Sequence, residues 1–241
     1  MLTCRISPGA IAVFTDRTGG VSSPPYDSLN LATHVGDVGA DVRENRARLA
    51  ARLRTSPVWM DQVHGAEVRV LATVASETAG ECDAVVLTGA DGHAPAVLVA
   101  DCVPLLLADE TGATRAAVHV GRAGLLAEIV PRVVERMREM AEGSLRAVAG
   151  PHICGGCYEV GAELSERARP FGANCTTRWG TPGIDLVAGI ERQLGGVPLR
   201  AAGGCTLEEP ALFSHRRDGV TGRFRSEERR VGKGCRSRWA P

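Results

Sequence analysis

Residues 96–124, AVLVADCVPLLLADETGATRAAVHVGRAG, constrain this chain most. The stretch reads as two apolar strands joined by a turn. Val97, Leu98 and Val99 form one run and Leu105, Leu106 and Leu107 the next. Asp109, Glu110, Thr111 and Gly112 supply turn chemistry, and Ala116, Ala117 and Val118 begin a return strand. Runs this apolar belong to strands buried on both faces. Cys102 follows the first run, and His119 ends the return strand before a glycine-rich turn. A cysteine and a histidine so placed lie where loops converge at a sheet edge, and loops held by a rigid scaffold are where sites sit.

An apolar fraction of 44% in 241 residues is enough for a core. No Ser/Gly/Pro-rich linker divides the chain, which predicts one domain over residues 1–224. A formal net charge of zero gives no global pull towards nucleic acid or a membrane surface. No apolar run approaches the ~20 residues of a transmembrane helix. The N-terminal MLTCRISPGA has no hydrophobic segment of the signal-peptide kind. The expectation is a cytoplasmic protein, a monomer, with its eight cysteines mostly reduced.

Residues 11–15 read as a short strand, and 16–31 as a Gly/Pro/Ser-dense loop that can offer backbone N–H groups to an anion. Residues 37–54 carry Val42, Arg46, Leu49, Ala50 and Leu53 at helical spacing. Residues 58–65 read as a strand ending at His64, residues 73–81 as a polar loop, and 82–87 as a buried strand. Residues 125–142 are helical in pattern, with a kink or break expected at Pro131. Short strands with interspersed helices give an α+β or mixed α/β architecture.

His64, Cys102 and His119 each end an apolar strand and each precede a turn residue: Gly65, Pro104 and Gly121. A His/His/Cys set suits zinc, and three protein ligands leave the fourth position open, as in catalytic sites. The same atoms could work without metal, Cys102 as nucleophile and His119 as its base. Taken singly, a strand-end histidine is a hydrogen-bonded scaffold residue. Cys154 and Cys157 form a C-x-x-C with no second pair in the sequence; a redox or structural-metal role is open to it, and free thiols in a tight turn are its default reading. Arg17, Arg216 and Arg217 could hold a phosphate or form a solvated basic surface.

The motifs TGGVSSPPYDSLNLATHVGD, VRENR, WMDQVHG, CDAVVL, VADCVPLLLAD, AAVHVGRAG, GPHICGGCYEVG, DLVAGIERQL and FSHRRDGVTGRF run in order over about residues 14–224. In this ordered combination the sequence resembles the YfiH family of purine nucleoside phosphorylases, formerly described as multicopper polyphenol oxidases or laccase-domain proteins. The resemblance implies a mixed β-sandwich flanked by helices, in α/β/β/α layers. It implies a metal site on His64, Cys102 and His119, with zinc the usual ion and copper in older descriptions. It implies phosphorolysis of adenosine, inosine and methylthioadenosine, and hydrolytic deamination of adenosine, so purine nucleosides and phosphate are the expected partners. Arg17, Asn30 and Arg216 are candidates for lining the substrate pocket. Asp101, beside Cys102, is a candidate for orienting a ligand or substrate in catalysis. Some relatives are linked to peptidoglycan precursor editing, which would suit an amide hydrolase with Cys102 as nucleophile. A multicopper oxidase needs many more histidines than the six present.

The sequence departs from the family pattern twice. After His119 the family commonly has Ala-Gly-Trp-Arg-Gly, where this chain has Val120-Gly121-Arg122-Ala123-Gly124. The missing Trp removes a stacking surface without touching the ligand. Residues 225–241, RSEERRVGKGCRSRWAP, replace the short apolar strand usual after GRF. This basic tail resembles vector- or assembly-derived sequence, and the expectation is that it is disordered and dispensable.

Overall fold

The computed structural model describes residues 1–89 and 92–230, and in it the apolar runs become strands of two six-stranded sheets. In chain order these are β1 (Leu2–Ser7), β2 (Ala10–Phe14), β3 (Ser56–Asp61), β4 (Val68–Leu71), β5 (Thr78–Glu81), β6 (Ala84–Thr88) and β7 (His93–Val99). They continue with β8 (Val103–Ala108), β9 (Thr114–Val120), β10 (Arg146–Ala149), β11 (Asn174–Thr176), β12 (Pro182–Ile184), β13 (Leu199–Ala201) and β14 (Phe224–Arg230). The helices are α1 (Gly39–Leu53), α2 (Arg122–Leu126), α3 (Ile129–Arg138), α4 (Ala162–Ala168), α5 (Leu186–Gln193) and the single turn α6 (His215–Asp218). One sheet runs β1-β2-β14-β7-β3-β5, the other β13-β10-β8-β9-β6-β4, and β11 pairs with β12.

Alternation along each strand sets the layers. Phe14, Met60, Val97 and Val99 from the first sheet meet Val85, Leu106, Ala117 and Val148 from the second. The other face of the second sheet (Leu105, Leu107, Val118) is covered by Val133, Met137 and Ile190 of α3 and α5. The other face of the first (Val13, Ala96, Leu98) is covered by Leu49 and Leu53 of α1. This is the α/β/β/α order that the family resemblance implied. Every residue of β8 and β9 is buried, as a strand covered on both faces must be. Among the described residues no helix is long and apolar enough to cross a membrane.

Three local readings change. Val97–Val99 and Leu105–Leu107 do not share one arm of a two-strand hairpin: β7 and β8 are separate strands in different sheets, and the chain crosses between them at Ala100–Cys102. The helix expected over 125–142 breaks at Ala127–Glu128 rather than at Pro131, with Glu128 left-handed at φ 58°. Pro131 then falls in the first turn of α3, where its missing N–H costs nothing. Thr78–Glu81, read as loop, is an edge strand parallel to β3.

The largest change is at the C-terminus. Residues 225–230, expected to be irregular, belong to β14, which fills the gap between β2 and β7 with Ser226 opposite both Phe14 and Val97. The backbone ladder decides this, because β2 and β7 each need a partner along that edge. The remainder of the expected tail, 231–241, lies outside the described residues. The side chains of β14 fit the place poorly. Arg225, Ser226, Glu227 and Glu228 are all buried, and Ser226 Oγ has no hydrogen-bond partner. Arg225 and Glu227 pair with each other, and Arg225 lies over the Trp59 ring. Phe224 and Glu228 share the face turned to the inter-sheet core. Burial pushes the Glu228 carboxyl well above the usual range, and Arg115 offsets only part of this.

A carboxyl raised in the folded state holds a proton that the unfolded chain gives up at about pH 4. Its contribution to stability is therefore full below that pH and declines as pH rises. Replacing Glu228 by Val should stabilise the protein by about 1–3 kcal/mol at pH 8. The gain should shrink as pH falls towards 5. Thermal melts across that range check both the size and the slope.

Candidate functional site

The site forms where the chain passes between the sheets. Cys102 immediately precedes β8, His119 is the penultimate residue of β9, and His64 sits in the loop after β3. One donor atom from each lies within 4.8 Å of the others. The His64 and His119 rings meet edge to face, centroids 4.6 Å apart. Gly121 opens the space: a Cβ there would lie 3.0 Å from Cys102 Sγ and 3.3 Å from His64 Cδ2. Any side chain at 121 would press on the donors.

Asp83, wholly buried at the start of β6, holds the set together. Its carboxylate accepts from the backbone N–H of Val63 (3.3 Å), His64 (3.0 Å) and Gly65 (2.6 Å). It also meets His119 Nδ1 at 2.7 Å, and its carbonyl accepts from His119 N at 2.8 Å. His64 is left-handed, φ 59°, a conformation costing about 1–3 kcal/mol that the three amide bonds sustain. With Nδ1 committed to Asp83, His119 turns Nε2 to the donor set. Gln62 fixes the same loop from the other side: its Nε2 donates to Leu98 O at 2.8 Å and its Oε1 accepts from Leu98 N at 2.9 Å.

Charge follows from this packing. Burial alone would raise the Cys102 thiol, but His119 and His64 outweigh it and bring its pKa down to about 6. Burial alone would lower His119, but the Cys102 sulfur and Asp83 raise it to about 9. Burial opposes ionisation of Asp83, yet His119 and the loop amides hold its carboxyl below the usual range. The result is a thiolate beside an imidazolium, with a carboxylate behind it. Two nitrogens and a thiolate sulfur, oriented by an outer carboxylate and open on one side, form a donor set that fits a zinc-like ion.

The donors line a cleft of about 200 Å³ together with His34, Tyr158, His215, Arg216 and Arg223. Residues 11–227 match the family described as multi-copper polyphenol oxidoreductase laccase. The purine nucleoside phosphorylase SCO2081 of Streptomyces coelicolor is 46% identical over 227 residues, 90% of this chain and 93% of that one. The purine nucleoside phosphorylase YfiH of Escherichia coli is 37% identical over 228 residues, 90% and 93% of the two chains. The chain belongs to the YfiH family. Solved structures carry the same fold: YlmD from Geobacillus stearothermophilus has a TM-score of 0.83 at 29% identity, covering 93% of each chain. The Neisseria meningitidis protein NMB0706 has a TM-score of 0.82 at 31% identity, covering 96% of this chain and 99% of that one.

In this YfiH-family chain the other sequence candidates fall in different places. Arg216 lines the cleft, its guanidinium 5.3 Å from the Tyr158 ring centre and donating to Glu159 O at 3.0 Å. Asp101 also lines it, but its carboxylate is occupied. It accepts from Thr206 Oγ1 (2.6 Å), Ser214 Oγ (2.7 Å) and the Arg216 amide (2.6 Å). Asp101 thus ties the 206 and 214–216 segments to the crossing point, and its φ of 98° is the tight bend of that crossing. Arg17 and Asn30 do not line the cleft. Arg17 donates to Asp27 O at 2.7 Å and to its carboxylate at 3.0 Å. Asn30, wholly buried, donates to Ala32 O and Asp37 and accepts from the Arg223 amide at 2.9 Å. Asn30 therefore acts on the cleft through Arg223, whose side chain lines it.

Sequence reasoning passed over Asp83, Tyr158 and Arg223. Asp83 left one signal: a carboxylate directly before the all-apolar run Ala84–Leu87 has to find partners inside the core.

In metal-stripped protein, carboxymethylation of Cys102 by iodoacetate should be half-maximal near pH 6 and flat above pH 7. Asp83→Asn should move that midpoint upward, because His119 loses the charge that keeps it protonated. A rate that climbs to pH 9 in the parent, as for an ordinary thiol, would refute the thiolate assignment. Peptide mass spectrometry reads the modified site.

Proposed function

We propose that this protein is a zinc-dependent purine nucleoside enzyme. It phosphorolyses adenosine, inosine and methylthioadenosine, and it hydrolytically deaminates adenosine. The observation that carries the reading is an open His64/Cys102/His119 donor set lining one cleft with Arg216 and Arg223. The curated relatives are named purine nucleoside phosphorylases, which supports the same substrate class.

His64, Cys102 and His119 would hold a zinc ion, which would supply Lewis acidity when bound. The chain supplies the rest. Phosphorolysis joins a phosphate oxygen to C1′ and breaks the bond from C1′ to the purine nitrogen, which leaves and takes up a proton. Arg216 and Arg223 bind the phosphate and hold it against C1′, which removes the entropy cost of bringing the two together. Tyr158 remains a phenol, since burial and the nearby Cys102 sulfur raise its pKa, so it offers a hydrogen bond to the sugar or base. Asp101 positions Arg216 through the backbone amide. Deamination uses the same cleft: water adds at C6 of adenine and ammonia departs.

The Cys102 thiolate beside His119 also favours one rival, an amide hydrolase with a thiol nucleophile acting on peptidoglycan precursors. Chelation separates the two, since a thiol enzyme survives it. A polyphenol oxidase finds little support, because two of the six histidines are in this donor set and none is in the other metal-ligating cluster among the described residues.

The test is a product assay with adenosine, with and without phosphate. Adenine with ribose 1-phosphate, only when phosphate is present, is the expected phosphorolysis product, and inosine is the expected deamination product. His64→Ala, Cys102→Ala and His119→Ala should each lose at least ~100-fold in both reactions, the scale expected when a metal site is dismantled. Arg216→Ala should raise KM for phosphate about tenfold, the worth of one charge-assisted hydrogen bond. No turnover from folded, zinc-loaded protein would overturn the reading.

A further inference from the structure

The C-x-x-C turn does not stand alone. Cys154, Cys157, Cys205 and Glu208 bring one donor atom each to within 4.8 Å of one another. None of these residues belongs to the cleft. From this cluster we infer a second, structural zinc site with three cysteine sulfurs and one carboxylate as ligands.

The spacing suits a tetrahedral ion. Zinc–sulfur bonds of about 2.3 Å place tetrahedral sulfurs ~3.8 Å apart, so the four donors need only a small inward movement. The backbone is already arranged for it. Cys157 N and Tyr158 N both donate to Cys154 O at 2.9 Å, which folds the C-x-x-C into the tight turn that aims two sulfurs at one point. Cys154 N donates to Cys205 Sγ at 3.3 Å, and an amide directed at sulfur stabilises a thiolate. Glu208 N and Glu209 N donate to Cys205 O at 3.1 and 2.9 Å, so Cys205 and Glu208 lie on one turn and face the same way.

The balance of charge points to a dication. Three thiolates and a carboxylate carry four negative charges, and zinc leaves two. Arg178 donates to Glu208 at 2.5 Å while its own amide donates to Gly156 O at 3.0 Å, so a guanidinium is fixed at the rim to offset one more. Sulfur-rich donor sets select soft, thiophilic ions over magnesium or calcium. Cys157 is buried and Cys154 and Cys205 are half-buried, so the three sulfurs lie inside the surface while Glu208 closes the set from the exposed side.

The place in the fold gives the site a use. Cys154 and Cys157 sit in the loop that carries Ile153 and Tyr158 into the cleft wall. Cys205 adjoins Thr206, which bonds Asp101 at 2.6 Å. One ion would staple two loops whose cysteines are 51 residues apart in sequence. Such a cross-link restricts the unfolded chain much as a disulfide does.

The experiment uses the full chain with His64→Ala, Cys102→Ser and His119→Ala combined, so that the cleft donors cannot hold metal. Elemental mass spectrometry of protein purified under reducing conditions should find one zinc per chain. Cobalt substitution should give intense near-ultraviolet sulfur-to-cobalt absorption. Adding Cys154→Ser or Cys205→Ser should cut the metal at least tenfold, and Cys175→Ser, outside the cluster, should leave it unchanged. In the chain with its cleft donors intact, the same cluster substitutions should remove one equivalent, whatever the cleft holds. A folded triple variant free of zinc, a zinc content indifferent to Cys154 and Cys205, or a disulfide among these cysteines would each overturn the inference. None of these outcomes bears on nucleoside turnover.

Discussion

The Asp83 carboxylate is the interaction on which the site depends. It is fully buried, and an isolated carboxylate there would be untenable. Four hydrogen bonds make it tenable, and all four partners belong to the site: three consecutive amides of the 63–65 loop and the imidazole of His119. Neither the loop nor the ring could hold its place alone. The loop includes a left-handed His64 that its own sequence does not favour. The ring is buried beside a sulfur. Because the carboxylate is the first residue before β6, its position is set by the ladders to β4 and β9. The geometry of the donors is thereby referred to the backbone pairing of the second sheet.

A second carboxylate does the corresponding work at the crossing between sheets. Asp101 turns the chain from β7 into β8 and collects Thr206, Ser214 and the Arg216 amide around itself. Through these bonds it shapes the cleft that it also lines. The two carboxylates divide the site. Asp83 fixes the donors, and Asp101 brings up the wall that carries Arg216. This division explains why the donors come from strand ends while the basic wall comes from segments far along the chain.

Much of this was legible in the sequence. The apolar runs announced buried strands, and three donors at strand ends announced a convergence. What the runs could not show was which sheet each would join. Val97–Val99 and Leu105–Leu107 are equally apolar, and the bend at Asp101 separates them into opposite layers. The substrate-pocket candidates show a similar limit. Arg17, Asn30 and Arg216 are all plausible by residue type. Asp27 takes the first and the 32–37 loop takes the second, both through contacts made by folding. The C-x-x-C looked solitary because Cys205 and Glu208 are about fifty residues away and meet it through contacts made by folding, among them the parallel bridge between His152 and Cys205 and the bond from Cys154 N to Cys205 Sγ.

The strand β14 shows the same principle in reverse. Its side chains argue against a central strand, and the backbone argues for one. Its ladders to β2 and β7 satisfy two rows of amides and carbonyls that would otherwise be buried unpaired, at a cost of about 1–3 kcal/mol each. Of the charged side chains this buries, Arg225 and Glu227 pair with each other. The strand is also not remote from the cleft. Arg223, which lines it, directly precedes β14, and Phe224 pairs with Val99, three residues before Cys102. Main-chain pairing here holds a poorly matched sequence in place, and with it the strand on which one side of the cleft is built.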